Sequence, residues 1–263
     1  MTTSMILAAH GSADTTAFSD VIERHAERIR AGGGFADVTA AYYRQPVFFR
    51  DALDQIRTQD VVILPVFAAD GHYTRTVLRR EMGLTGSVTR RGGVTVRVAA
   101  AVGTHAGWPA RVAAQALDVS AALGWRRDET SLLIIGHGMT GHATSAGTVY
   151  ALCDAVAGVG GFASVRAAFL DEAPRVERAL ARGHGVPGRH VVALPFLVAD
   201  ASHVCRDIPR RLGLTCGDGG GGRWRVGRVG GLDVALTGTL FADPAVTAMM
   251  MELACARRPG TVA

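Results

Sequence analysis

Histidine followed by glycine closes a short apolar run twice in this chain, as Ile6-Leu7-Ala8-Ala9-His10-Gly11 and as Leu133-Ile134-Ile135-Gly136-His137-Gly138. Two further histidines, His72 and His203, follow a later apolar run in each half, and two adjacent carboxylates lie in Phe169-Leu170-Asp171-Glu172-Ala173-Pro174. Two imidazoles and a carboxylate, with no thiolate, suit a borderline divalent metal such as cobalt, iron, nickel or zinc. Neutral imidazole also accepts a proton near pH 7. His137 and His203 with Asp171 or Glu172 therefore form one candidate site for metal and proton chemistry, and His10 with His72 forms a second. The matching stretch of the first half, Tyr42-Tyr43-Arg44-Gln45-Pro46, offers an arginine and tyrosines but no acid, so the halves differ chemically. A lone histidine is more often structural than a ligand. His25 on a helical face, and His184 and His190 flanking a loop, read that way, while His105 and His142 stay open.

The elements that must position these residues follow from an internal duplication, which is sought before any single element is assigned. From His10 to His137 the offset is 127 residues, and Gly34-Phe35-Ala36-Asp37-Val38-Thr39-Ala40-Ala41 returns at the same offset as Gly161-Phe162-Ala163-Ser164-Val165-Arg166-Ala167-Ala168. Leu64-Pro65 and Ala69-Asp70 recur as Leu194-Pro195 and Ala199-Asp200, His72 pairs with His203, and Gly103-Thr104 recurs as Gly238-Thr239. The offset grows steadily, as small insertions in the second copy would make it. Short β-branched runs alternate with segments of helical period, the pattern of βα units feeding a parallel sheet. Four strands are expected per half: Met5–Ala9, Val38–Tyr42, Val61–Phe67 and Val94–Ala101, then Leu132–Gly136, Val165–Leu170, His190–Leu197 and Asp233–Thr239. Phe18, Ile22, His25 and Ile29 mark one helix face, and Val112, Ala116, Val119 and Leu123 mark another, ended by Gly124. The expectation is an α/β chain of two tandem doubly wound domains, residues 1–127 and 128–263, each a four-stranded parallel sheet flanked by helices. In such sheets ligands bind beyond the carboxyl ends of the strands, where the four histidines fall.

Composition narrows the function classes. All 28 basic residues are arginine, which leaves no lysine for a Walker phosphate loop or a Schiff base. The glycine tracts Gly158–Gly161 and Gly217–Gly222 lack the strand or helix that a phosphate cradle needs. Net charge is +5, but the arginines are scattered without a nucleic-acid motif, so nucleic acid is not an expected partner. The four cysteines form no CxxC pair, which disfavours cysteine-ligated clusters. The longest apolar run, Val61–Ala69, is nine residues, too short to cross a bilayer, and the N-terminal residues lack a basic start. No membrane span and a cytoplasmic location are the expectation.

The two His-Gly turns, Phe169-Leu170-Asp171-Glu172-Ala173-Pro174 and Ala199-Asp200-Ala201-Ser202-His203-Val204-Cys205-Arg206-Asp207-Ile208-Pro209 together resemble the class II tetrapyrrole chelatases, which include the sirohydrochlorin cobalt- and ferrochelatases. The resemblance spans nearly the whole chain and implies the long, two-domain form. It implies insertion of a divalent metal into sirohydrochlorin without nucleotide, with cobalt favoured over iron or nickel, in cobalamin- or sirohaem-type biosynthesis. By position it places metal-handling histidines at His137 and His203, and at His10 and His72, with the acid at Asp171 or its neighbour Glu172. The second-half site ranks first, because the first half lacks the acid. Sirohydrochlorin carries eight carboxylates, for which Arg206 and Arg44 are candidate clamps. A non-catalytic metal or tetrapyrrole carrier using the same histidines is the rival reading, and a monomer or a homodimer is expected.

Overall fold

The structure is a computed structural model and describes residues 3–12, 16–141, 144–180, 186–214 and 224–257. Among these residues both repeats form the same series of strands and helices. The first runs β1 (Thr3–Ala9), α1 (Ala17–Gly32), β2 (Val38–Tyr42), α2 (Phe49–Ala52), β3 (Asp60–Pro65), α3 (Leu78–Glu81), β4 (Val88–Arg91), β5 (Val94–Val98) and α4 (Trp108–Ala122). The second runs β6 (Thr130–Gly136), α5 (Thr144–Val159), β7 (Ser164–Phe169), α6 (Val176–Ala179), β8 (His190–Pro195), α7 (Ile208–Leu212), β9 (Trp224–Val229), β10 (Leu232–Thr237) and α8 (Val246–Cys255).

Two sheets result, ordered β2-β1-β3-β5-β4 and β7-β6-β8-β10-β9. The four expected strands of each half are present and parallel to their neighbours. β1 and β6 are buried at every position, the signature of parallel strands covered on both faces. Ile6, Ile63, Phe49 and Leu78 pack in the core of the first sheet, and Ile135, Leu170, Val191 and Ile208 in that of the second.

Each sheet also carries a fifth strand that the four-strand expectation omits. β4 and β9 pair antiparallel with β5 and β10, and the hairpins turn through Gly92-Gly93 and Gly230-Gly231. All four glycines have positive φ (56°, 80°, 61° and 92°), as a two-residue hairpin turn requires. The repeated Gly-Gly dipeptide was the available signal. These edge strands carry arginines, and β4 is mostly exposed while β9 is only partly buried, so their weak apolar alternation hides them. The Gly217–Gly222 tract lies outside the described residues.

The compact units do not follow the repeat boundary expected near residue 127. One unit is Met1–His105 with Phe241–Ala263, and the other is Ala106–Leu240. Helix α4 therefore belongs to the second unit, where it packs on β8 and α5. Its buried stripe is Trp108, Val112, Ala113, Ala116 and Val119, and Trp108 meets Phe196 edge to face at 5.1 Å. Helix α8 belongs to the first unit, against α1 and β3. His25 ties it there. The ring is fully buried on α1, its Nε2 donates to the carbonyl oxygen of Phe241 (2.7 Å), and its Nδ1 accepts from the hydroxyl of Thr247 (2.8 Å). Its structural role thus links residues 216 and 222 positions apart in sequence.

Replacing His25 by alanine is expected to cost about 3 kcal/mol of stability in urea denaturation, since it opens a cavity and strands a buried carbonyl. Burial, with Arg28 and Arg24 acting in the same direction, holds the His25 pKa below the ordinary 6.5, against the opposing effects of the Phe241 carbonyl and Asp243. The unfolded chain therefore takes up the proton first. Stability from this residue is complete above about pH 6.5 and is lost as the pH falls below it. Melting curves between pH 7.5 and 5 should show that loss, and His25→Leu should show less of it.

Candidate active site

In the second sheet the chain leaves β6 for β7 on one side and crosses back to β8 on the other, so a topological switch lies at the carboxyl ends of β6 and β8. His137 is the first residue beyond β6. Its carbonyl oxygen accepts the N–H groups of Leu170 (3.0 Å) and Asp171 (2.9 Å), which stitches the end of β6 to the end of β7. Gly138, at φ 74°, turns the chain away, and a Cβ there would lie 2.8 Å from Glu172 Cγ. Glu172 folds under this turn and its Oε1 accepts the Met139 N–H at 3.4 Å. The first half repeats the device: the His10 carbonyl accepts the Arg44 N–H (2.9 Å), and Gln45 Oε1 accepts the Ser12 N–H (2.8 Å). Glu172 and Gln45 occupy the same place, so the task needs an acceptor oxygen and no charge.

Asp171 instead faces the histidine. Its Oδ2 lies 3.4 Å from His137 Nδ1, which is also 3.0 Å from the carbonyl oxygen of Gly138. Beyond β8 the chain enters a π-helical turn, His203–Asp207, that presents His203. Such turns place a side chain where a regular helix would not. The rings of His137 and His203 meet nearly perpendicular, at 87° and 5.1 Å between centroids, and both side chains are about half exposed (48% and 50%). His203 Nδ1 donates to Asp207 Oδ2 at 2.8 Å, because an ionised carboxylate can only accept. Both Nδ1 atoms are thus engaged as donors, and the lone pair of each ring falls on Nε2.

The structure brings His137, His203 and Asp171 together, and it separates Glu172 from them as the clamp of the turn. Among the described residues, no three His, Cys, Asp or Glu side chains converge tightly enough to hold an ion as they stand. Asp207 was not singled out in the sequence, although a carboxylate four residues after a histidine on a helical turn is a recognisable partner spacing. The supports of Asp171 were equally hidden: Thr140 Oγ1 donates to its carbonyl (2.6 Å), and Arg211 donates to that of Leu170 (2.6 Å). Arg206 is exposed and donates to Ser202 Oγ at 2.9 Å.

The first half is not a second copy of this arrangement. Its π-helical turn is Tyr73–Val77, so Tyr73, not His72, stands where His203 stands. The His10 ring meets the Tyr73 ring at 4.7 Å and 87°, reproducing the His137–His203 contact with a phenol in place of an imidazole. Arg44 takes the place of Asp171 and Val77 that of Asp207. The sequence pairing of His72 with His203 is thereby corrected by one residue, and with it the pairing of His10 and His72 as an equivalent site. Among the open histidines, His105 Nε2 bonds Glu252 at 2.9 Å, while His142 lies outside the described residues, as does His184. His190 stacks on Trp125 at 4.6 Å, at the opposite end of its strand from the site. Cys153 is buried, with a thiol pKa pushed up to about 12, which removes it from thiolate chemistry.

The sequence profile of the CbiX family matches residues 4–117 and again residues 131–256. A Halobacterium salinarum protein described as a "probable sirohydrochlorin cobaltochelatase" is 27% identical over 222 residues, covering 78% of this chain and 75% of that protein. Among solved structures, a Deinococcus radiodurans multi-domain protein with structural similarity to chelatases superposes with a TM-score of 0.77 at 23% identity. The match covers 98% of this chain and 56% of that one, so the present chain spans about half of its length. CbiX, the terminal enzyme of sirohaem biosynthesis in denitrifying bacteria, superposes with a TM-score of 0.69 at 23% identity, covering 96% and 98% of the two chains.

The neutral Gln45 at the Glu172 position leads to a direct test of the clamp. Glu172→Gln is expected to leave stability within about 0.5 kcal/mol, whereas Glu172→Ala removes the acceptor and costs about 1 kcal/mol, both read from urea denaturation midpoints.

Proposed function

The chain belongs to the CbiX family with both of its repeats, and from that premise we propose that it inserts a divalent metal, cobalt foremost, into sirohydrochlorin without nucleotide hydrolysis. The observation that carries this reading is the pair of imidazoles at the β6/β8 switch, each with Nδ1 occupied and Nε2 open. Insertion exchanges two pyrrole N–H protons for one divalent ion. A catalyst must therefore offer lone pairs to the metal and then accept protons at the same place. His203 and His137 supply both functions, with the metal as substrate. Asp207 orients His203 and fixes its tautomer, as a carboxylate behind a ligating histidine does, and Asp171 stands beside His137.

Half-exposed imidazoles that are not closed around an ion suit a metal in transit. The substrate's carboxylates need cations at the rim, and Arg206, exposed and donating to Ser202, is placed for one. Arg44 belongs to the other unit. The cobalt preference follows the Halobacterium relative, since imidazole and carboxylate accept cobalt, iron and nickel alike. We further place the protein in the cytoplasm as a monomer or homodimer acting in cobalamin- or sirohaem-type synthesis. Among the described residues no helix is long and apolar enough to cross a membrane.

The test is anaerobic absorbance of sirohydrochlorin with Co(II) and catalytic protein. Many turnovers above the spontaneous rate are expected, while a single stoichiometric equivalent would make the protein a carrier. His203→Ala should lower the insertion rate at least about 100-fold and Asp207→Asn about 10- to 100-fold. Glu172→Gln should stay within about threefold of the parent, because its oxygen holds a turn and not the metal. A Glu172→Gln rate as low as that of Asp171→Asn would reverse the two roles.

A further inference from the structure

Pro209 is the second residue of α7, and a proline has no N–H to donate to the carbonyl four residues before it. That carbonyl belongs to Cys205, the middle residue of the π-helical turn His203–Asp207. A guanidinium fills the place of the missing donor: Arg225 Nη1, on the edge strand β9, donates to the Cys205 carbonyl oxygen at 2.7 Å. The turn is tied to the partner strand of that hairpin at its root. There Asp200 Oδ1 accepts the Thr239 N–H at 2.8 Å just beyond β10, and the Cys205 thiol donates to the Asp200 carbonyl at 3.5 Å. Cys205 lies two residues after His203 and two before Asp207, the carboxylate that accepts from the His203 ring. Holding the Cys205 carbonyl therefore holds the backbone between the imidazole and the group that orients it.

The first unit has neither the proline nor the arginine. Arg79, whose backbone carries an N–H, stands where Pro209 stands, in the register that matches Tyr73 with His203. Ser87 stands where Arg225 stands, five residues before Gly92 as Arg225 is five before Gly230. The strand pairing agrees: the Ser87 carbonyl accepts the Val98 N–H at 2.9 Å, and Arg225 pairs with Leu236. The first unit fastens its turn, Tyr73–Val77, to itself, because Asp70 accepts from Thr74 Oγ1 at 2.5 Å and from Arg75 at 2.9 Å. The proline and the substitute donor are thus present together in the unit with two imidazoles and absent together in the other. We propose that Arg225 is a positioning residue of the site: from β9 it holds the π-helical turn that sets His203 against Asp207, in place of the backbone donor that Pro209 lacks. A charged donor makes the stronger bond to a carbonyl, which suits a turn whose histidine is half exposed. The metal-handling role of His203 rests on the proposed function; the pairing of Arg225 with Pro209 does not.

The experiment is a double-mutant cycle in the full chain: the parent, Arg225→Met, Pro209→Ala and the two combined, with Arg225→Lys as the conservative exchange. Each protein is titrated with Co(II) alone, followed by ligand-field absorbance, while circular dichroism checks the fold. Arg225→Met is expected to weaken Co(II) binding about 10-fold, as loss of a group that orients a metal ligand does, and Arg225→Lys to stay within about threefold of the parent. Pro209→Ala restores a backbone N–H, so adding Arg225→Met to it should cost less than about twofold, the signature of two coupled positions. In the metal-free chain, the proton–nitrogen correlation signals of His203, identified by their loss in His203→Ala, should lose their Nδ1-protonated form in Arg225→Met and keep it in the combined variant. An equal loss of affinity in both backgrounds, or an unchanged affinity and tautomer in Arg225→Met, overturns the proposal. Turnover of sirohydrochlorin separates this proposal from the chelatase reading. A parent without turnover whose Co(II) affinity follows the cycle removes the chelatase and keeps the tether, whereas a parent with turnover, matched by Arg225→Met in rate and in Co(II) affinity, removes the tether and keeps the chelatase.

Discussion

Pairing of a buried parallel strand on both sides is the constraint from which the site follows. β6 is hydrogen-bonded to β7 along one edge and to β8 along the other, and a parallel register brings all three carboxyl ends to one rim. The last carbonyl of that run, on His137, accepts two N–H groups from the end of β7, so the histidine cannot move independently of Asp171. The loop beyond β8 then needs only one π-helical turn to carry His203 to within 5.1 Å of His137. Chemistry at this rim depends on backbone pairing more than on any side-chain contact, because the side chains themselves are half exposed.

The duplication makes the two units controls for each other. The main-chain device is common to both: a His-Gly turn, a carbonyl accepting from the neighbouring strand end, and an amide or carboxylate oxygen closing the turn from below. What differs is the set of side chains placed on that device. Gln45 in the place of Glu172 shows that closing the turn needs an acceptor oxygen and not a charge. Arg44, Tyr73 and Val77 in the places of Asp171, His203 and Asp207 show the same scaffold presenting a cation and a phenol instead of a carboxylate and an imidazole.

Exchange of the closing helices between the compact units is a second consequence of ordinary packing physics. Helix α4 carries a wide apolar stripe led by Trp108, and α8 carries Val246, Met249, Met250 and Ala254. Either helix must cover a sheet face to bury that stripe. Each lies on the sheet of the repeat it does not continue, and His25 locks α8 in place through one backbone carbonyl and one hydroxyl. A buried histidine satisfied at both nitrogens is a structural fastener, and its sensitivity to acid follows chiefly from burial, with Arg28 and Arg24 adding to it.

From the sequence alone came the duplication, the parallel strands and the His-Gly turns, because each rests on a local period or on a repeated string. Burial of Met5–Ala9 and Leu132–Gly136 could be read from unbroken apolar runs. The edge strands β4 and β9 escaped because their arginine-bearing, at most partly buried segments carry no clear alternation, although Gly-Gly marked their turns. The pairing of Tyr73 with His203 escaped because the offset between copies drifts, and only the matching π-helical turns place the residues to within one position. Tertiary structure alone decided which sheet each closing helix covers, since a helical period states that an apolar face exists and not what it meets. It alone also distinguished Asp171 from Glu172: adjacent residues at a strand end point to different sides, so one carboxylate faces the imidazole and the other turns beneath the loop.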